Sequence, residues 1–142
     1  MQEDEMAGAG IELEKIMLVE DEEDIRAVAE LALEAVGGFT LKTCASGQSA
    51  LATIAAFQPQ LIVLDVMMPG MDGPTTLNAI RQQPGFARTP AVFMTAKVQP
   101  DEVSGYLSQG AAAVIPKPFD PMALSDRIRE IWDSLAPDTH PD

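Results

Sequence analysis

Short unbroken apolar runs alternate along this chain with stretches whose apolar residues recur at spacings of three and four, five times over. The unbroken runs predict strands buried on both faces, and the wider spacings predict amphipathic helices. The first run, Ile16-Met-Leu-Val19, empties into Glu20, Asp21, Glu22, Glu23 and Asp24. Behind it Ile25, Val28, Ala29, Ala32, Leu33 and Val36 mark one face of a helix that Gly37-Gly38 stops. Phe39, Leu41 and Thr43 alternate as a short second strand, and Ser46 is placed to cap a helix carrying Ala50, Leu51, Ile54 and Phe57, with Pro59 at its exit. The third strand, Leu61-Ile-Val-Leu64, ends on Asp65 before Pro69, Gly70 and Gly73 break the chain. Asp72 can cap a third helix through Leu77 and Ile80, which Pro84-Gly85 ends. Pro90 introduces a fourth strand, Ala91-Val-Phe-Met94, closed by Thr95. A shorter helix is expected from about Pro100 through Val103 and Leu107 to Gly110, then a small-residue fifth strand, Ala111–Ile115. The last helix is expected to start near Asp120 and to carry Leu124, Ile128, Ile131 and Leu135.

Such βα repetition implies an α/β fold with a doubly wound, five-stranded parallel sheet and helices on both faces, because right-handed crossovers return each strand to the same direction. A chain of 142 residues, 46% hydrophobic, fills one such domain. The domain is expected over residues 15–135, between a disordered N-terminal tail, 1–14, and a C-terminal tail, 136–142, both polar, acidic or proline-bearing and read as frayed ends rather than packed elements.

Charge narrows the partners. With 9 basic and 22 acidic residues the net charge is -13, which disfavours direct binding of nucleic acid or of an anionic membrane. No apolar segment approaches the ~20 residues that cross a bilayer, and the acidic start is unlike a secretory signal, so a cytoplasmic protein is expected. The single cysteine, Cys44, excludes an intrachain disulfide and reads as a small buried hydrophobe. His140, the single histidine, has no second histidine to form a site with.

The strand ends carry the chemistry. Open α/β sheets gather reactive groups at the C-terminal ends of their strands, and here those ends supply Glu20 and Asp21, Asp65, Thr95 and Lys117. Carboxylates crowded on adjacent strands repel one another unless a hard cation neutralises them. Glu20, Asp21 and Asp65 therefore read as a magnesium site, Asp65 also as a nucleophile able to form an acyl phosphate, Thr95 as a hydrogen-bond donor and Lys117 as a point charge for phosphoryl oxygens. Each alone has a duller reading, a helix cap or a solvated side chain; four together at four strand ends favour the functional one. Glu22, Glu23 and Asp24 instead charge the first turn of the first helix favourably against its dipole.

Over about residues 15–135 the chain resembles the CheY-like receiver domain of two-component response regulators. The resemblance rests on Val19-Glu-Asp-Glu22, on Leu64-Asp-Val-Met-Met-Pro-Gly-Met-Asp-Gly73, on Thr95-Ala96 and on Lys117-Pro-Phe119, in the family's order and spacing. It implies a flavodoxin-like strand order 2-1-3-4-5, Asp65 as phosphoacceptor, and magnesium held by Glu20, Asp21, Asp65 and the backbone carbonyl of Met67. Thr95 becomes the switch hydroxyl and Lys117 its charged partner, with a cis Lys117-Pro118 bond. The implied function is a phosphoacceptor signalling domain that receives its phosphoryl group from a sensor histidine kinase or a histidine phosphotransfer protein. The first helix, near Ile25 and Ala29, would dock that donor, and the surface of the fourth helix, fifth strand and fifth helix would signal to a downstream effector protein or a fused output domain.

Two residues depart from the family pattern. Val114 stands where receivers usually carry a Tyr or Phe that rotates inward, and Pro116 removes a backbone donor beside Lys117, which suits an edge strand. A haloacid-dehalogenase-like phosphatase would need a second aspartate at the position of Met67, and a dinucleotide-binding turn would need glycines where Glu20–Asp24 stand. The remaining alternative is a phosphorylation-independent interaction module with a vestigial receiver site, which has no need of Thr95, Lys117 and the upstream acids together. With only seven residues after Leu135, the chain reads either as a stand-alone receiver or as a fragment of a longer regulator or hybrid kinase.

Overall fold

The five apolar runs form five strands in a computed structural model that describes residues 11–135: β1 (Lys15–Val19), β2 (Thr40–Cys44), β3 (Leu61–Asp65), β4 (Ala91–Thr95) and β5 (Ala113–Pro116). All neighbours pair in parallel, in the order β2-β1-β3-β4-β5. This is the expected doubly wound sheet. Side chains alternate across it, so Ile16 and Leu18 enter one core and Met17 and Val19 the other. Two covered faces explain why the strands read as unbroken apolar runs.

The helices are α1 (Glu23–Glu30), α2 (Gly47–Phe57), α3 (Gly73–Arg81), α4 (Pro100–Ser108) and α5 (Leu124–Ser134). α1 and α5 cover the face of Ile16 and Leu18, where Leu33, Ile128 and Trp132 are buried. α2 and α3 cover the other face through Ala50, Ile54, Leu77 and Ile80. Two expected caps are present: the Ser46 side chain accepts from Ser49 N–H at 3.1 Å, and Asp72 Oδ1 accepts from Thr75 N–H at 2.9 Å. Each such cap contributes ~1 kcal/mol.

Four expectations need correction. The first helix is not uniform, for Leu31–Val36 continue α1 as a π-helical stretch in which Gly37 N–H reaches back five residues to the Ala32 carbonyl, 3.1 Å. The wider turn carries Val36 off the apolar face, and Val28 lies at that face's margin; both are exposed. α5 closes against this stretch: Ser125 Oγ donates to the Ala32 carbonyl at 2.7 Å, and a Cβ on Gly37 would lie 2.1 Å from Ser125 Oγ. α5 itself begins at Leu124, because Asp120 accepts from Met122 and Ala123 and so stabilises a turn ahead of the helix. β5 begins two residues late, since Ala111 N–H bonds the Tyr106 carbonyl at the end of α4.

The segment expected to be loose through residue 14 is packed from Ile11 onward. Leu13 is buried, Gln60 Oε1 accepts from both Glu14 N–H and Lys15 N–H, Gln60 Nε2 donates to the Glu12 carbonyl, and Trp132 Nε1 donates to that of Ile11. Residues 1–10 and 136–142, His140 among them, lie outside the described residues. Cys44 is buried, β5 is an edge strand with Val114 opposite Phe93, and the Lys117-Pro118 bond is cis.

Candidate functional site

In the parallel register Val19 stands opposite Leu64 and Asp65 opposite Met94, so β1 and β3 release their acidic residues at one edge. Glu20, Asp21 and Asp65 each offer a carboxylate oxygen there, all within 4.8 Å of one another. Lys117, one residue past β5, reaches into the group with Nζ 3.1 Å from Glu20 Oε1 and 3.0 Å from Asp65 Oδ1. Glu20 and Asp65 are buried, at 0% and 2% exposure. Charged groups so far from water persist only when paired, and Lys117 is the only ammonium paired with them among the described residues.

One ammonium does not balance three carboxylates. Asp65 shows the deficit, its pKa pushed up from 3.8 to about 7 chiefly by burial, with the charge of Glu20 and a contact with Asp21 adding to it and Lys117 only partly offsetting it. Burial alone would lower the pKa of Lys117, but its hydrogen bonds to Asp65 and Glu20 and the charges of both raise it. In both groups the neighbouring carboxylates act in the same sense, raising the pKa. Within the site, Asp21 Oδ1 is buried and has no hydrogen-bond partner among the described residues. Three clustered carboxylates, one with a free buried oxygen and with no imidazole or thiolate among them, fit a small hard dication such as magnesium.

Thr95 ends β4 beside this group. It is buried, its Oγ1 accepts from Lys97 N–H at 3.0 Å, and its carbonyl accepts from Lys117 N–H at 2.9 Å, which ties the two residues together. Asp65, Thr95, Lys117 and Met67 line one open cleft of about 420 Å³, together with Glu22 and Ile25. Met67 leaves its side chain exposed there. All six residues singled out from the sequence thus lie at one edge of the sheet. Gly73 was read only as a chain break, yet it also shapes the site: a Cβ there would lie 2.5 Å from the Asp65 carbonyl oxygen and 2.8 Å from Val66 Cα. Its position directly after the capping Asp72 was the available signal.

The chain matches the family model for the response regulator receiver domain over residues 16–129. This chain belongs to the response regulator receiver family. Among its relatives, the transcriptional regulatory protein CseB of Streptomyces coelicolor is 34% identical over 116 residues, 82% of this chain and 48% of CseB. The response regulator Rre1 of Synechocystis is 33% identical over 117 residues, covering 82% of this chain and 50% of Rre1. The receiver therefore spans about half the length of the curated relatives it matches. Among solved structures, the chemotaxis protein CheY4 of Vibrio cholerae superposes with a TM-score of 0.78 at 28% identity, covering 84% of this chain and 99% of CheY4. As a member of this family the receiver is a phosphoacceptor signalling domain. Among the described residues, no helix is long and apolar enough to cross a membrane.

Proposed function

We propose that Asp65 is the residue phosphorylated, by a phosphohistidine on a sensor histidine kinase or histidine phosphotransfer protein in the cytoplasm. The observation that carries this reading is the Lys117 ammonium bridging Asp65 and Glu20 at hydrogen-bond distance, beside an unpaired Asp21 oxygen. An Asp65 carboxylate oxygen bonds to phosphorus, the phosphorus–nitrogen bond breaks, and its electrons leave with the imidazole. Lys117 and the Thr95 hydroxyl stabilise the phosphoryl oxygens as they arrive. Magnesium, held by Glu20, Asp21, Asp65 and the Met67 carbonyl, would supply the positive charge that keeps Asp65 ionised and lessens its repulsion of the donor. Without such a charge, burial pushes the Asp65 carboxyl up to about 7, which works against the ionised form a nucleophile needs. With Met67 two residues beyond Asp65, no side chain at that position acts as a general base, and water should remove the phosphoryl group slowly.

A mostly apolar cleft of about 220 Å³ beside the site, lined by Ile25, Val28, Pro118 and Phe119 together with Asp24 and Lys117, suits docking of the donor. Ala29, expected on that surface, is fully buried and takes no part; the exposed Val28 replaces it. On the output side, Thr95 and Phe93 share one face of β4, and the Tyr106 ring of α4 packs edge-on against Phe93 with centroids 5.8 Å apart. Movement of Thr95 can therefore reach α4 without an aromatic at position 114, and from there an effector protein or an output domain joined to the receiver. The acidic surface favours a protein partner over DNA.

Treatment with a small acyl phosphate and magnesium should raise the intact mass by one phosphoryl unit, and Asp65→Asn or a chelator should abolish the gain. Labelling that survives in Asp65→Asn would place the acceptor elsewhere. No labelling of the native chain would favour a vestigial interaction module.

A further inference from the structure

Arg26 lies in α1, immediately after five consecutive acidic residues and Ile25, yet among the described residues none of those carboxylates is within ion-pairing distance of it. Its Nη1 donates instead to the backbone carbonyl of Glu20, at 2.8 Å. A carboxylate acceptor would add direct attraction between opposite charges to a guanidinium's hydrogen bond, so the charged alternatives nearby make this choice of partner informative.

The acceptor is the carbonyl of the Glu20–Asp21 peptide bond. That peptide is planar, so a donor fixed on its oxygen fixes the plane from which Asp21 departs. Every other polar group of Glu20 is also held: its N–H donates to the Cys44 carbonyl at 3.0 Å, Oε1 accepts from Lys117 and Oε2 accepts from Glu22 N–H. Arg26 supplies the fourth contact. With Glu20 clamped on all sides, the next residue is the one whose carboxylate keeps a buried, unpartnered oxygen.

We infer that Arg26 is a positioning residue for the cation site, holding the Glu20–Asp21 peptide so that Asp21 Oδ1 points into the space shared with Glu20 and Asp65. The inference rests on the reading of those carboxylates as a magnesium site. It has a distinctive sign. A fixed positive charge beside a cation site repels the cation, so if Arg26 acted by charge alone its removal would tighten magnesium binding. Acting by position, its removal weakens binding.

Calorimetric titration with magnesium alone, on the native chain and on Arg26→Ala, Arg26→Gln and Arg26→Lys, separates the two. Melting in chelator gives the stability of each variant without metal. Arg26→Ala should bind magnesium about tenfold more weakly, the scale of lost outer-shell support. Arg26→Lys, which keeps a donor of similar reach, should recover most of the affinity. Should Arg26→Ala fail to fold, Arg26→Gln carries the comparison, since its shorter amide also loses the bond. Unchanged or tighter binding in the variant that folds overturns the role of Arg26 while leaving the metal site standing. A native chain that binds no magnesium overturns the metal reading itself, and the inference with it.

Discussion

Glu20-Asp21 and Glu22-Glu23-Asp24 are neighbours in one acidic run, and their surroundings are opposite. Glu20 is wholly buried and Asp21 half-buried, both within 4.8 Å of Asp65, whereas Glu22, Glu23 and Asp24 are exposed at the start of α1. The division falls at the N-cap of α1, Glu22, with Glu20 and Asp21 between it and the end of β1. Before it, parallel pairing with β2 and β3 draws the carboxylates into the sheet edge; after it, the helix turns them to water. Identical chemical groups therefore become a charge-crowded site on one side and modest helix-dipole partners on the other. Burial and proximity separate the two sets, since formal charge is the same.

The largest test of this contrast removes the counter-ion. Lys117→Ala strands two buried carboxylates and should destabilise the metal-free protein by about 3 kcal/mol at about pH 8, less at about pH 6 where Asp65 takes up a proton. Urea melts at the two pH values measure it, and a loss no greater than that of a surface substitution would show the pair to be solvated.

A second effect belongs to Asp65 itself. Its pKa of about 7 in the fold stands above the ordinary 3.8, so the folded chain holds a proton that the unfolded chain releases. Stability of the metal-free protein should be favoured below about pH 4 and fall as pH rises through about 7. Asp65→Asn should flatten that slope and be the more stable form at the alkaline end. Equal slopes in both proteins would mean that the crowding of carboxylates is relieved by some other group.

Magnesium should act more gently still, adding about 1.4 kcal/mol at ten times its dissociation constant by mass action. Asp21→Ala should lose that gain and Asp24→Ala should keep it, although both remove one carboxylate from the same run. Without metal, Asp24→Ala should cost no more than about 0.5 kcal/mol, the scale of an exposed charge at a helix start. Thermal melts with and without magnesium would read all three values, and equal losses in both variants would erase the distinction between the two halves of the run.

Much of this architecture is legible along the chain because it depends on local periodicity. Ile16–Val19 and Leu61–Leu64 announce strands buried on both sides, and Ser46 and Asp72 cap helices by bonds that span three residues. The strand ends could likewise be matched to Asp65, Thr95 and Lys117. Contacts made across long separations were not legible. Gln60 clamps Glu12, Glu14 and Lys15 from more than forty residues away, and Ser125 meets the π-helical end of α1 across ninety-three. None of these bonds leaves a pattern in its own neighbourhood.

The sequence by itself determined which groups arrive at the sheet's C-terminal edge, since strand alternation and turn residues select them and a parallel sheet sends every strand the same way. Only the tertiary structure decided their state. Asp65 is pushed towards neutrality, Lys117 is shared between two acids, Asp21 keeps an unpaired oxygen and Arg26 turns from its acidic neighbours to a carbonyl, all through distances of about 3–5 Å between residues up to ninety-seven positions apart. The physical reason is that electrostatic energy follows separation and solvent exposure, and both are set by packing rather than by position along the chain.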